Sequence, residues 1–143
     1  MLKRLAAAVA VLVGSLVAPA VADADEILTV GPNGVTYIRT ESGHTLCGVE
    51  GDHVNCTVQF VNPPTTRTGD AANSLTLNQN GTFTYLAADL GVIDPPHLIR
   101  YDQTYTVNGW AVEAFNDGTR FTSNRTNEGF WVSVTEVDAL GQM

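Results

Sequence analysis

Past residue 25 the chain is interrupted at short intervals by Gly, Asn, Asp and Pro, and nowhere does an apolar stripe run for three helical turns. Residues 86–90 offer at most one turn of helix. Between the interruptions lie short runs rich in Val, Thr, Tyr and Phe, the signature of an all-β chain. The runs fall at residues 35–39, 45–50, 53–61, 74–78, 82–86, 101–107, 110–116, 119–124 and 129–137, with residues 27–30 as a short edge strand. Asn62-Pro63-Pro64 and Asp94-Pro95-Pro96 cannot sit in central strands and read as loops.

The two cysteines, Cys47 and Cys56, bracket a turn centred on Gly51-Asp52. In a two-residue hairpin Glu50 then faces His53, Val49 faces Val54 and Cys47 faces Cys56. The cysteine pair falls at a non-hydrogen-bonded position, where Cα atoms approach to ~4.5 Å, within reach of a disulfide. His44, Cys47, His53 and Cys56 also have zinc-like spacing. In an extended hairpin, however, each histidine points away from the cysteine three residues on. We therefore expect a Cys47–Cys56 disulfide and no metal.

Three further turns fix registers. Asn108-Gly109 is the strongest two-residue hairpin signal and sets Val107 opposite Trp110 and Tyr105 opposite Val112. Asp117-Gly118, read the same way, sets Ala114 opposite Phe121. A three-residue loop over residues 79–81 sets Leu77 against Phe83 and Leu75 against Tyr85. Phe130, Val132 and Val134 share one face of the last run, and Trp131, Ser133 and Thr135 the other. A meander with one apolar face must bury it against a second layer. The expected fold is an antiparallel β-sandwich, or a small barrel, with one disulfide.

The N-terminus has a different logic. Lys3 and Arg4 precede an uncharged apolar run over residues 5–17, and small residues follow up to Ala22. This is the layout of a secretory signal peptide with cleavage after Ala22, and the run is short of the ~20 residues that a spanning helix needs. The expected product is one secreted domain, residues 23–143, with no membrane span. Its basic residues are Arg39, Arg67, Arg100, Arg120 and Arg125, and it carries no lysine against 15 acids. That balance argues against nucleic acid and anionic membranes. The missing lysine removes Schiff-base and pyridoxal chemistry, and we expect no cofactor.

No Gly-x-Ser-x-Gly elbow is present for His44, His53 or His97 to serve. Glu113 lies on the polar face of its strand, Asp117 in a turn, and no carboxylate pair suggests itself for glycoside hydrolysis. We assign no catalytic residue. Trp131 is the residue that points elsewhere: its parity opposes Phe130, Val132 and Val134, so it is a candidate exposed aromatic that could stack on a sugar or anchor a partner.

The set Cys47…Cys56, Tyr101-Asp102-Gln103-Thr104-Tyr105, Asn108-Gly109-Trp110, Gly118-Thr119-Arg120-Phe121-Thr122 and Gly129-Phe130-Trp131-Val132-Ser133-Val134 resembles small exported proteins of unknown function from mycobacteria and related actinobacteria. The resemblance spans most of the chain beyond the leader. It implies export and a β fold, and carries no activity. The expectation is a non-catalytic binding module outside the cell, its partner a protein, glycan or lipid. The alternatives are a carrier enclosing an apolar ligand and a hydrolase of cell-wall polymers.

Overall fold

The computed structural model describes residues 26–31, 33–91 and 95–143. The expected signal peptide and its cleavage after Ala22 lie outside the described residues, as does Asp94. Strands β1 (Glu26–Leu28), β2 (Thr36–Thr40), β3 (Thr45–Val49), β4 (His53–Val58), β5 (Ser74–Asn78) and β6 (Phe83–Leu86) come first. Then follow β7 (His97–Ile99), β8 (Gln103–Val107), β9 (Trp110–Phe115), β10 (Gly118–Ser123), β11 (Glu128–Val132) and β12 (Val137–Gln142). No helix forms among the described residues.

The strands make two packed six-stranded sheets, ordered β6-β5-β4-β3-β2-β7 and β1-β8-β9-β10-β11-β12. The fold is the expected sandwich. Each sheet is an antiparallel meander closed at one edge by a parallel strand from the other half of the chain: β7 pairs with β2, and β1 with β8. A parallel pair needs a crossover, so these two edges stitch the halves together.

The alternation of each strand builds the core. Val112, Ala114, Phe121 and Phe130 of the second sheet and Val49, Val54, Leu75 and Leu77 of the first are all wholly buried. An aromatic chain crosses between the layers. Trp110 lies 6.4 Å from Phe130, Phe130 meets Phe83 edge-on at 6.4 Å, and Phe83 meets Tyr85 at 5.4 Å. Burial, aided by the charge of Asp138, raises the Tyr85 hydroxyl pKa above its ordinary value. Cys47 pairs with Cys56 across β3 and β4, bonded at 2.06 Å with Cα atoms 4.0 Å apart.

The registers at Asn108-Gly109 and over residues 79–81 are as read from the sequence. Asn108 (φ 50°) and Gly109 (φ 88°) supply the paired positive φ that a type I′ turn requires. The Asp117-Gly118 register is corrected. Gly118 pairs with Phe115, Thr119 with Ala114 and Phe121 with Val112, so the loop residues are Asn116 and Asp117. Gly118 is not a turn glycine, since its φ is not positive. It is small because the Trp131 ring lies over it: a Cβ there would sit 2.2 Å from Cζ2. The slip is of two residues, which leaves every side chain on its expected face.

Two strands were not read from sequence. The run at residues 129–137 is not one strand but β11, a turn and β12. The turn arises because the Ser133 hydroxyl accepts bonds from the Thr135 and Glu136 amides (3.2 and 3.1 Å), while the Ser133 amide donates to the Glu136 carbonyl. Such local bonding competes with the ladder. β7 forms directly after Pro95 and Pro96 and places Ile99 in the core. Residues 101–107 shorten to β8 because Asp102 is left-handed (φ 60°). Residues 87–91 form no helical turn.

Candidate functional site

The outer face of the second sheet carries a continuous row of side chains. Cross-strand register aligns Thr104, Glu113, Arg120, Trp131 and Asp138 across β8 to β12. Arg120 Nε and Nη2 each donate to Glu113 Oε1 at 2.9 Å, and the Thr104 hydroxyl donates to Oε2 at 3.3 Å. An exposed ion pair of this kind is worth ~1 kcal/mol at most. Its effect here is positional: it holds the guanidinium 5.7 Å over the Phe115 ring.

Phe115 in turn stacks on Trp131, with centroids 6.1 Å apart and planes inclined by 28°. Trp131 is thus on the outer face, as its parity requires, and is half-buried rather than freely exposed. Phe115 packs against its ring, and Gly118 lets it lie close to the backbone. A rigid aromatic surface loses little entropy when a ligand settles on it.

The aromatic pair borders a cavity of about 200 Å³ at one end of the sandwich. Phe115, Asn116, Asp117, Gly118 and Thr119 form one side. Thr40, Ser42, His44 and Thr45 form another, with Tyr101, Val132, Ser133 and Val134 completing the wall. The Ser133 hydroxyl is spent on its turn, and that of Thr40 on Ser42 and the Thr45 carbonyl. Thr119 and Thr45 also line the cavity, at 3% and 6% exposure. At the mouth, His44, Asn116 and Asp117 are exposed.

The opposite end is tied by hydrogen bonds between the sheets, around an open hollow of about 340 Å³ lined by Glu50, Gly51, Gln79 and Arg125; Gln79 Oε1 there is buried without a partner among the described residues. The Trp110 indole N–H donates to the Glu50 carbonyl at 3.0 Å, and the Asn108 amide to the Gly34 and Val49 carbonyls. Arg125 donates to the Gly51 carbonyl, and the Thr126 hydroxyl to that of Gln79. His53 lies between Asp52 Oδ1 (2.6 Å) and Glu50 Oε2 (3.0 Å). The His53 hydrogen bond, reinforced by its charge, holds the Asp52 carboxyl below its ordinary 3.8. These contacts tie loops of the two sheets together.

The zinc-spaced set does not converge. Cys47 and Cys56 are bonded to each other inside the core, while His44 and His53 lie at opposite ends of the sandwich. His97 is exposed on the β7 edge. Glu113 is on the polar face, engaged by Arg120.

Sequence reasoning singled out Trp131 but not Phe115, Thr45, Asn116 or Thr119. Phe115 carried a signal: it is a large aromatic at the same parity as Glu113, on the outer face of its strand. The cavity carried none, because its walls come from both sheets. The chain matches no protein-family model, no curated protein and no solved structure.

Proposed function

We propose that the protein is a non-catalytic binding module that acts outside the cell and holds a glycan on the outer face of its second sheet. One observation carries the reading: the Phe115–Trp131 pair is held rigidly on that face, with the Glu113–Arg120 pair in the same row. A sugar ring has an apolar C–H face and a rim of hydroxyls. The aromatic pair suits the first, and a carboxylate beside a guanidinium suits the second. Export is supported by the leader's charge and apolar layout and by a disulfide, which persists in oxidising compartments. The resemblance to small exported actinobacterial proteins points the same way. No helix among the described residues is long and apolar enough to cross a membrane.

The alternatives are less well supported. A carrier needs a hollow interior, whereas Trp110, Phe121 and Phe130 fill the space between the sheets. A two-carboxylate hydrolase needs two acids flanking one bond. Among the described residues lining the end cavity, Asp117 is the one acid.

The test is co-sedimentation with insoluble bacterial cell-wall polysaccharide. Wild-type protein should enter the pellet and release no reducing ends, and Trp131→Ala should stay in the supernatant. Release of reducing ends would make the protein an enzyme. Equal sedimentation of the two forms would remove this face from the function.

A further inference from the structure

The end cavity is built more specifically than a binding face alone requires. We propose that it is a subsite for one uncharged sugar ring, the terminal residue of the glycan held along Phe115 and Trp131. This rests on the reading of that face as a glycan surface.

Four observations lead here. First, Thr45 and Thr119 are more than nine-tenths buried as residues, and both line the cavity. A hydroxyl both donates and accepts, so two threonines on the wall of one pocket match a ligand that does the same.

Second, the lining has no formal positive charge apart from any on His44. It has one carboxylate, Asp117, and no arginine or lysine. Nearby Arg120 is already bonded to Glu113. An anionic ligand would meet Asp117 and a domain with 15 acids against five arginines, without a cation in the lining to offset them. A neutral polyol meets no such penalty.

Third, the cavity is small and one of its walls is core. Val132 lines it at 1% exposure, and Ala114, paired with the lining residue Thr119, is wholly buried. About 200 Å³ suits a single ring rather than a longer segment.

Fourth, Phe115 belongs to both places. It lines the cavity and stacks on Trp131. A chain with its last ring in the cavity therefore leaves along the aromatic pair.

The experiment is an amide-resolved NMR titration with glucose, galactose, mannose, N-acetylglucosamine and arabinose, and with glucuronate as the anionic comparator. At least one neutral sugar should shift the Gly118, Thr119 and Ser133 amides with a Kd of about 1–10 mM, as few contacts to one small ring allow. Thr119→Val and Asp117→Ala should each weaken that sugar about three-fold or more. Asp117 is an exposed loop residue, so its variant keeps the test valid if Thr119→Val disturbs the fold. Trp131→Ala should abolish polymer sedimentation. If none of the five neutral sugars moves these amides at about 100 mM while sedimentation still depends on Trp131, the subsite is refuted and the binding face survives. If a sugar binds as described but wild-type protein does not sediment with polymer, the face fails and the subsite survives as a site for free sugar. Glucuronate binding as tightly as the best neutral sugar would overturn the uncharged class.

Discussion

Replacing Trp110 by alanine should be the most damaging single truncation on the inner face of the second sheet. Trp110 has no exposed surface, packs on Phe130, and donates its indole N–H to the Glu50 carbonyl. Burial of a large aromatic removes up to about 250 Å² from water. At ~25 cal/mol/Å² that gives about 6 kcal/mol, an upper bound because the unfolded chain already hides part of this surface. Truncations of this kind cost about 3–5 kcal/mol, and the orphaned Glu50 carbonyl adds about 1 kcal/mol. A loss of about 4–6 kcal/mol is expected, a large share of the ~5–15 kcal/mol available to a domain.

Trp131 is the internal comparison. It is half-buried on the opposite face, so its truncation should cost about 2 kcal/mol, half of what a fully buried aromatic loses, with the Phe115 stacking included. Urea melts with the disulfide intact separate the two. With a slope near 1.5 kcal/mol/M, Trp110→Ala should move the midpoint down by about 3 M and Trp131→Ala by a little over 1 M. Trp110→Phe keeps a ring and removes the N–H, and should fall about 1–2 kcal/mol below wild type. Equal midpoints for the two alanine variants, or a larger fall for Trp131→Ala, would refute the assignment of inner and outer faces and the site built on it.

Gly118→Ala should cost about 1–3 kcal/mol, because its Cβ collides with the Trp131 ring. In a Trp131→Ala background the same change should cost little, and undiminished cost there would place the strain elsewhere. The Asp52 carboxyl, held below 3.8 by His53, should titrate below that value by NMR and return toward it in His53→Ala. A carboxylate with a depressed folded-state pKa stabilises the fold above its unfolded value. That contribution should vanish as the pH falls through the lowered value, and Asp52→Asn should remove this part of the acid dependence.

The sequence was most legible where a turn requires a particular backbone. Asn108-Gly109 fixed a register because two consecutive positive φ angles exclude most residues, and the cysteine pair followed from the same counting. Legibility failed where a residue acted through a distant neighbour. Gly118 has the appearance of a turn glycine but is small for Trp131, thirteen positions away in sequence and on the adjacent strand. Ser133 has the appearance of a strand residue but bonds its own backbone and ends β11. β12 escaped because Val137 is its one buried side chain, so no alternation marks it. β7 escaped because a three-residue edge is too short to carry a period.

The same distinction explains why a binding face was foreseen and a pocket was not. Trp131 was visible because alternation is a local property: a large aromatic at outer parity stands out within five residues. Thr119 sits at inner parity beside Ala114 and Val132, where a threonine reads only as an imperfect core residue. Its position becomes informative once the first sheet brings Thr45 to the same cavity. For folding alone, valine would serve better at both positions, since it fills a similar volume without a hydroxyl to desolvate. Two such threonines at one cavity, with the rest of the inner face closely filled, therefore follow from ligand recognition more readily than from stability. That is why the candidate site lies at this end of the sandwich, where the cavity meets the Phe115–Trp131 pair, while the other end carries the hydrogen bonds that join the two sheets.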